Sequence, residues 1–171
     1  MKNIAFLSLI ILTFTFSAFG QKSAVAKTVP NTTKDVGEAF DRLLDGIRQV
    51  DVEKVMSVYD KTDRILFFNY SGSATLGWEN MRANRESLYA KIKDVSLDVT
   101  DRRVEMLSKT SAYVTCKWKQ SQVYDGKLES STGRMTLVFK LVGKDWKVVH
   151  LHTSPDVAPA TRTVVPSEKD N

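Results

Sequence analysis

The chain is 171 residues long, 42% hydrophobic and 26% charged, with a formal net charge of +5. Its basic runs never exceed two residues and alternate with acids, as in "KDVGEAFDR" and "TDRRVEM", so the surface reads as mixed and solvated and no nucleic-acid groove is expected. The single cysteine, Cys116, excludes an internal disulfide.

Residues 1–20, "MKNIAFLSLIILTFTFSAFG", begin with Lys2 and an uncharged apolar run from Ile4 to Phe16. Ala18 and Gly20 supply small residues at the two positions a signal peptidase reads, so a secretory signal cleaved after Gly20 is expected. The uncharged stretch is at the lower limit for a spanning helix, so a membrane anchor is disfavoured. The mature protein is expected to be secreted or periplasmic and off the membrane. Residues 21–32 and 156–171 are polar and contain Pro30, Pro159 and Pro166. They read as flexible ends around one domain, residues 33–155.

Val36, Phe40, Leu43, Leu44 and Ile47 recur at helical spacing, with caps available at Asn31 to Thr33. Asp51 is placed to cap a short second helix through Val52, Val55, Met56 and Tyr59. "RILFFNY" reads as a strand, and Ser71, Gly72 and Ser73 as a turn. "GWENMRANRESLYAKIKD" predicts a third helix with Trp78, Met81, Leu88 and Ile92 on one stripe.

Beyond it the period becomes two. Val95, Leu97 and Val99 alternate with polar residues, while Val104 and Met106 continue on the opposite parity, which predicts a β-bulge near Asp101 to Arg103. Ala112, Val114, Cys116, Trp118, Gln120 and Gln122 share a face, and Asp125-Gly126 predicts a tight hairpin. Cys116 in this apolar run is expected to be an inert core residue. Met135, Leu137, Phe139 and Leu141 form the next face, and "DWKVVHLHTSPD" the last strand. Helices first and strands after give an α+β fold. A strongly curved antiparallel sheet wrapped around three N-terminal helices is expected, forming a cone-like roll with a packed narrow end.

"GIRQVDVEKVMSVYD", "GSATLGWENM" and "GRMTLVFKLVGKDWKVVHLHTS" together resemble nuclear-transport-factor-2-like proteins. They are closest to the SnoaL-like branch that includes the association (hub) domain of calcium/calmodulin-dependent protein kinase. The hub-type ending is matched by Thr136, Trp146 and the series Val149, His150, His152, Ser154. The resemblance implies a cone-shaped fold, usually dimeric, in a family of isomerases, dehydratases, cyclases and non-catalytic binding or assembly domains. It places the hub's pocket arginines at Trp118, Leu137 and Thr153. None of these is cationic, which departs from carboxylate binding by that mode.

Candidate acid–base residues are His150, His152, Tyr59, Tyr70 and Glu79, each also suited to packing or capping. Lys147 argues that the face of Trp146, Val148, His150 and His152 points inward. The hub pattern argues that Leu151 and Thr153 line the cavity. The sequence leaves both open. Two histidines supply fewer ligands than zinc sites use, so no metal is expected, and no cofactor. No P-loop or Cys-x-x-Cys occurs, and "SGSATLG" lacks the spacing of a nucleophile elbow. The residues expected to line the wide end are Tyr59, Phe68, Tyr70, Trp78, Trp118, Leu137, Leu151 and Thr153, with Gln120 and Gln122 as a wet mouth. The functional expectation is an exported, non-enzymatic module that binds a small apolar molecule or assembles. An isomerase, dehydratase or cyclase acting on an apolar carbonyl compound is the alternative. Apolar residues on both faces of the last strands (Val148 and Val149, Val138 and Leu137) predict a homodimer through the sheet.

Overall fold

The computed structural model describes residues 32–156. The expected signal segment and nearly all of both flanking segments lie outside the described residues. Helix α1, Thr33–Arg48, starts where Thr32 closes a capping box: its hydroxyl accepts from the Asp35 amide at 3.2 Å, and the Asp35 carboxylate accepts from the Thr32 amide at 3.0 Å. Its buried stripe is Val36, Phe40, Leu43 and Leu44. Asp51 caps α2, Val52–Val58, by accepting from the Lys54 amide at 2.9 Å.

Two short strands follow, β1 (Leu66–Phe68) and β2 (Ala74–Leu76), then α3 (Trp78–Tyr89). Four long strands complete the chain: β3 (Ile92–Ser108), β4 (Ser111–Tyr124), β5 (Lys127–Val142) and β6 (Asp145–Pro155). The sheet order is β2-β1-β6-β5-β4-β3. β3 to β6 are antiparallel, but β1 lies parallel to β6, with Leu66 opposite His150. The sheet is therefore mixed, not antiparallel throughout. A parallel neighbour is possible because α3 and four strands intervene, ample chain for a crossover.

The bulge expected in β3 is present: Asp101 and Arg102 together oppose Cys116 between the pairs Thr100–Lys117 and Arg103–Thr115. A second places Asp94 and Val95 opposite Gln122. Asp94 and Asp101 take positive φ, 54° and 53°, a region that aspartate tolerates better than most residues. These bulges curl the sheet around the helices. The β4–β5 hairpin turns on Asp125 and Gly126, both with positive φ, between Tyr124 and Lys127.

Along β4 and β5 the packing changes with position. Ala112, Val114, Leu137 and Phe139 are fully buried and meet Phe40, Val55 and Val148 in one core. From Trp118 and Met135 outward the same inner face opens into a cavity.

Candidate functional site: an open cavity at the wide end

The cavity has a volume of about 550 Å³, within the range of small-molecule sites. Its depth is apolar: Leu43 and Ile47 from α1, Leu97 from β3, Trp118 from β4, Met135 from β5 and Leu151 from β6. Its mouth is polar, with Gln120, Gln122, Glu129 and Ser131 on the β4–β5 ribbon and Asn69, Ser73 and Thr75 around β1 and β2. The Gln120 amide donates to Gln122 at 2.8 Å, and Gln122 donates to Glu129 at 3.4 Å.

Trp118 is the largest apolar wall. It is 8% exposed, and its indole N–H donates to the Arg134 carbonyl at 3.2 Å across the strand pair. Its cross-strand partner is Gly133. A Cβ there would lie 2.8 Å from the indole and would collide with the Ser154 carbonyl, so only glycine leaves room for this ring. Tyr70 meets Trp118 edge-on at the mouth, with ring centroids 5.8 Å apart.

A bulge in β6 decides which face of the last strand the cavity sees. Phe139 pairs with Val148 and Val138 with His150, so Val149 is an extra residue. Trp146 and Val148 point inward before it, and Leu151 and Thr153 after it. His150 and His152 face outward, where Phe68 stands edge-on to both rings at 5.8 and 5.7 Å. Neither histidine reaches the cavity. Among the described residues no group of three or more metal-ligating side chains converges.

Tyr59 leaves α2 as its C-cap in extended conformation and bridges Val148 of β6. That carries its ring into the cavity wall, where it is 3% exposed. Its hydroxyl has no hydrogen-bond partner. Burial pushes its pKa up to about 12, and the nearby Arg85 guanidinium, which favours the phenolate, opposes the rise. Arg85 also lies over the Tyr89 ring, 5.3 Å from its centroid, and burial raises that phenol as well.

Of the residues expected at the pocket, Tyr59, Tyr70, Trp118, Leu151 and Thr153 line it. Phe68, Trp78 and Leu137 do not. Phe68 is on the outer face with the histidines, because β1 follows the parity of β6. Trp78 donates to the Met56 carbonyl at 3.3 Å and lies beneath Lys61 and Arg82, fastening α3 to α2 outside the cavity. Leu137 faces inward but is wholly enclosed in the core. Glu79 is on the surface, 4.0 Å from Lys61. Arg85 and Asn84 of α3, which line the cavity, were not anticipated from the sequence.

A family model for the SnoaL-like domain matches residues 36–158. No curated protein matches the chain. Among solved structures, the chain is similar to a nuclear transport factor 2-like superfamily protein from Salmonella enterica serovar Typhimurium. That match has 18% identity and a TM-score of 0.69, over 77% of this chain and 96% of the other. A candidate dehydratase of the same fold family from Streptomyces avermitilis gives 20% identity and a TM-score of 0.67, covering 74% and 96%. A candidate calcium/calmodulin-dependent protein kinase II association domain from Xanthomonas campestris gives 19% and 0.62, covering 72% and 89%. At these identities the structures establish the fold, and with a family model spanning the helices and the whole sheet, the chain belongs to the SnoaL-like domain family.

Proposed function

We propose that the protein is an exported SnoaL-like module that binds a small, flat, largely apolar molecule without transforming it. One observation carries the reading: the cavity is deep and apolar, and its lining contains no histidine, aspartate or lysine. The titratable lining residues are Tyr59, Tyr70, Tyr124, Arg85 and Glu129. A general base works best with a pKa near the ambient pH. Tyr59, held protonated to about pH 12, is poorly suited to that role. Glu129 is exposed at the rim. The competing isomerase, dehydratase or cyclase reading would have to rest on these five groups, of which Glu129 is the one carboxylate.

Trp118 provides the test. A fully enclosed tryptophan truncated to alanine costs about 3–5 kcal/mol. With one face on the cavity, Trp118→Ala is expected to cost less. It is also expected to abolish the stabilisation that an apolar carbonyl compound such as 2-acetonaphthone gives the wild type in chemical denaturation. A core-sized loss in the variant, with no shift of the wild type by the probe, would defeat the binding reading. Turnover of an apolar carbonyl substrate that disappears in Glu129→Gln would favour the enzyme instead.

A further inference from the structure

α3 turns Met81, Asn84, Arg85 and Leu88 towards the cavity, so a cation stands between the apolar side chains of Met81 and Leu88. Arg85 is half-buried and, among the described residues, forms no ion pair. The contrast with Arg82, one turn away on the same helix, is informative: Arg82 engages both Glu53 and Glu86. The one carboxylate in the lining, Glu129, accepts from Gln122 and pairs with no cation. Beside Arg85 is a second unmet demand, the buried Tyr59 hydroxyl without a partner. The Tyr89 hydroxyl and Trp146 Nε1 are also buried and unpartnered, but both residues lie outside the cavity lining, so an orphaned donor alone points to no ligand. At Arg85 a cation that meets phenol rings but no carboxylate, an orphaned hydroxyl and a cavity wall coincide.

Resting on the binding reading above, we infer that the molecule taken up ends in a carboxylate, which the Arg85 guanidinium and the Tyr59 hydroxyl hold while its apolar body lies against Trp118. A partly desolvated charge and a buried hydroxyl both carry a penalty until they find acceptors. A carboxylate supplies two oxygens, which suits the guanidinium fork and leaves a lone pair for the phenol. The phenol stays protonated through neutral pH and so acts as a donor. The cation comes from α3, not from the strand positions Trp118, Leu137 and Thr153 where the hub-type pattern puts its arginines.

Calorimetric titration with 2-naphthylacetate and its neutral analogue 2-(2-naphthyl)ethanol tests this. The wild type is expected to bind the acid about 10- to 100-fold more tightly than the alcohol, the range for charged hydrogen bonds. Arg85→Gln is expected to bring the acid down to about the affinity of the alcohol, with Arg85→Lys retaining part of the preference. Tyr59→Phe, an independent variant should Arg85→Gln not fold, is expected to weaken only the acid. Equal binding of acid and alcohol by the wild type would overturn the carboxylate and leave the apolar pocket standing. Binding of neither would overturn both. An acid preference that survives in Arg85→Gln would move the anion site elsewhere and overturn the assignment.

Discussion

Tyr59 combines near-complete burial with a hydroxyl that has no partner. An unfolded phenol ionises near pH 10, and the folded one near 12, because burial penalises the phenolate. Its contribution to stability is therefore full below pH 10 and lost as the pH climbs through 12. The gap corresponds to about 3 kcal/mol. Tyr59→Phe should remove this part of the alkaline loss and leave stability at pH 7 equal or higher, since an unpaired buried hydroxyl disappears. Urea denaturation at pH 7 and 11 reads both, and an unchanged alkaline loss would refute it. Cys116, whose thiol burial pushes up to about 11 against the opposing Arg102, adds an earlier decline from about pH 9 that Cys116→Ala should remove. Several of these residues were legible in the sequence. Trp118, Gln120 and Gln122 share one parity with buried neighbours, and a strand's period of two places them together. Arg85 was passed over as one charge among many in "RANRESLY". The signal was present: Met81 and Leu88 are seven apart on α3 and position 85 fills the gap, whereas Ile92, expected on the same stripe, opens β3 because the helix ends at Tyr89. A cation in a stripe position is the mark of a polar group carried inward.

At the level of the element, the bulge at Val149 organises the site. Two sequence arguments about β6 pointed opposite ways, and each holds for half the strand. Lys147 correctly implied that Trp146 and Val148 point inward, and the hub pattern correctly implied the same for Leu151 and Thr153. A single extra residue reconciles them, and no residue type in "KVVHLH" announces it. The β3 bulge was legible because apolar residues on both sides exposed the change of parity. In β6 the histidines blurred that pattern, since imidazole is at home on either face. Deleting Val149 would make the pairs Phe139–Val148 and Val138–His150 consecutive, keeping Leu151 and Thr153 inward and His150 and His152 outward in strict alternation but removing the bend. That variant is expected to keep cooperative unfolding by urea, because every side chain of β6 keeps its face, and to lose the shape of the cavity wall around Leu151 and Thr153. A deletion that unfolds without cooperativity would mean that the bend itself, and not only the facing of these side chains, holds the core together. Gly133 is a second local requirement: Gly133→Ala should cost about 1–3 kcal/mol in the same assay by crowding Trp118 and Ser154.

For the whole molecule, the outer face of the sheet presents Phe68, 40% exposed, beside half-buried Val138, Val149 and His150. A two-fold homodimer through this face is the assembly we propose, as isolated apolar sheet faces favour self-association. Light scattering at micromolar concentration should give twice the chain mass, and Val138→Asp should give a monomer; a wild-type monomer would dismiss the interface. Export makes a separate prediction, that the secreted form begins at Gln21. Intact mass spectrometry reads it, and a product retaining residues 1–20 would point to an anchor.

The bulges of β3 have a consequence beyond curvature. β3 is a free edge of the sheet, 17 residues long, and an unbroken edge of that length is a template on which another chain can polymerise. Here its hydrogen-bonding register is interrupted three times, Asp94, Asp98, Asp101 and Arg103 stand exposed along it, and Arg48 donates to the Leu97 carbonyl at 3.0 Å. The irregularities that curl the sheet around the cavity thus also keep its rim from seeding fibrils.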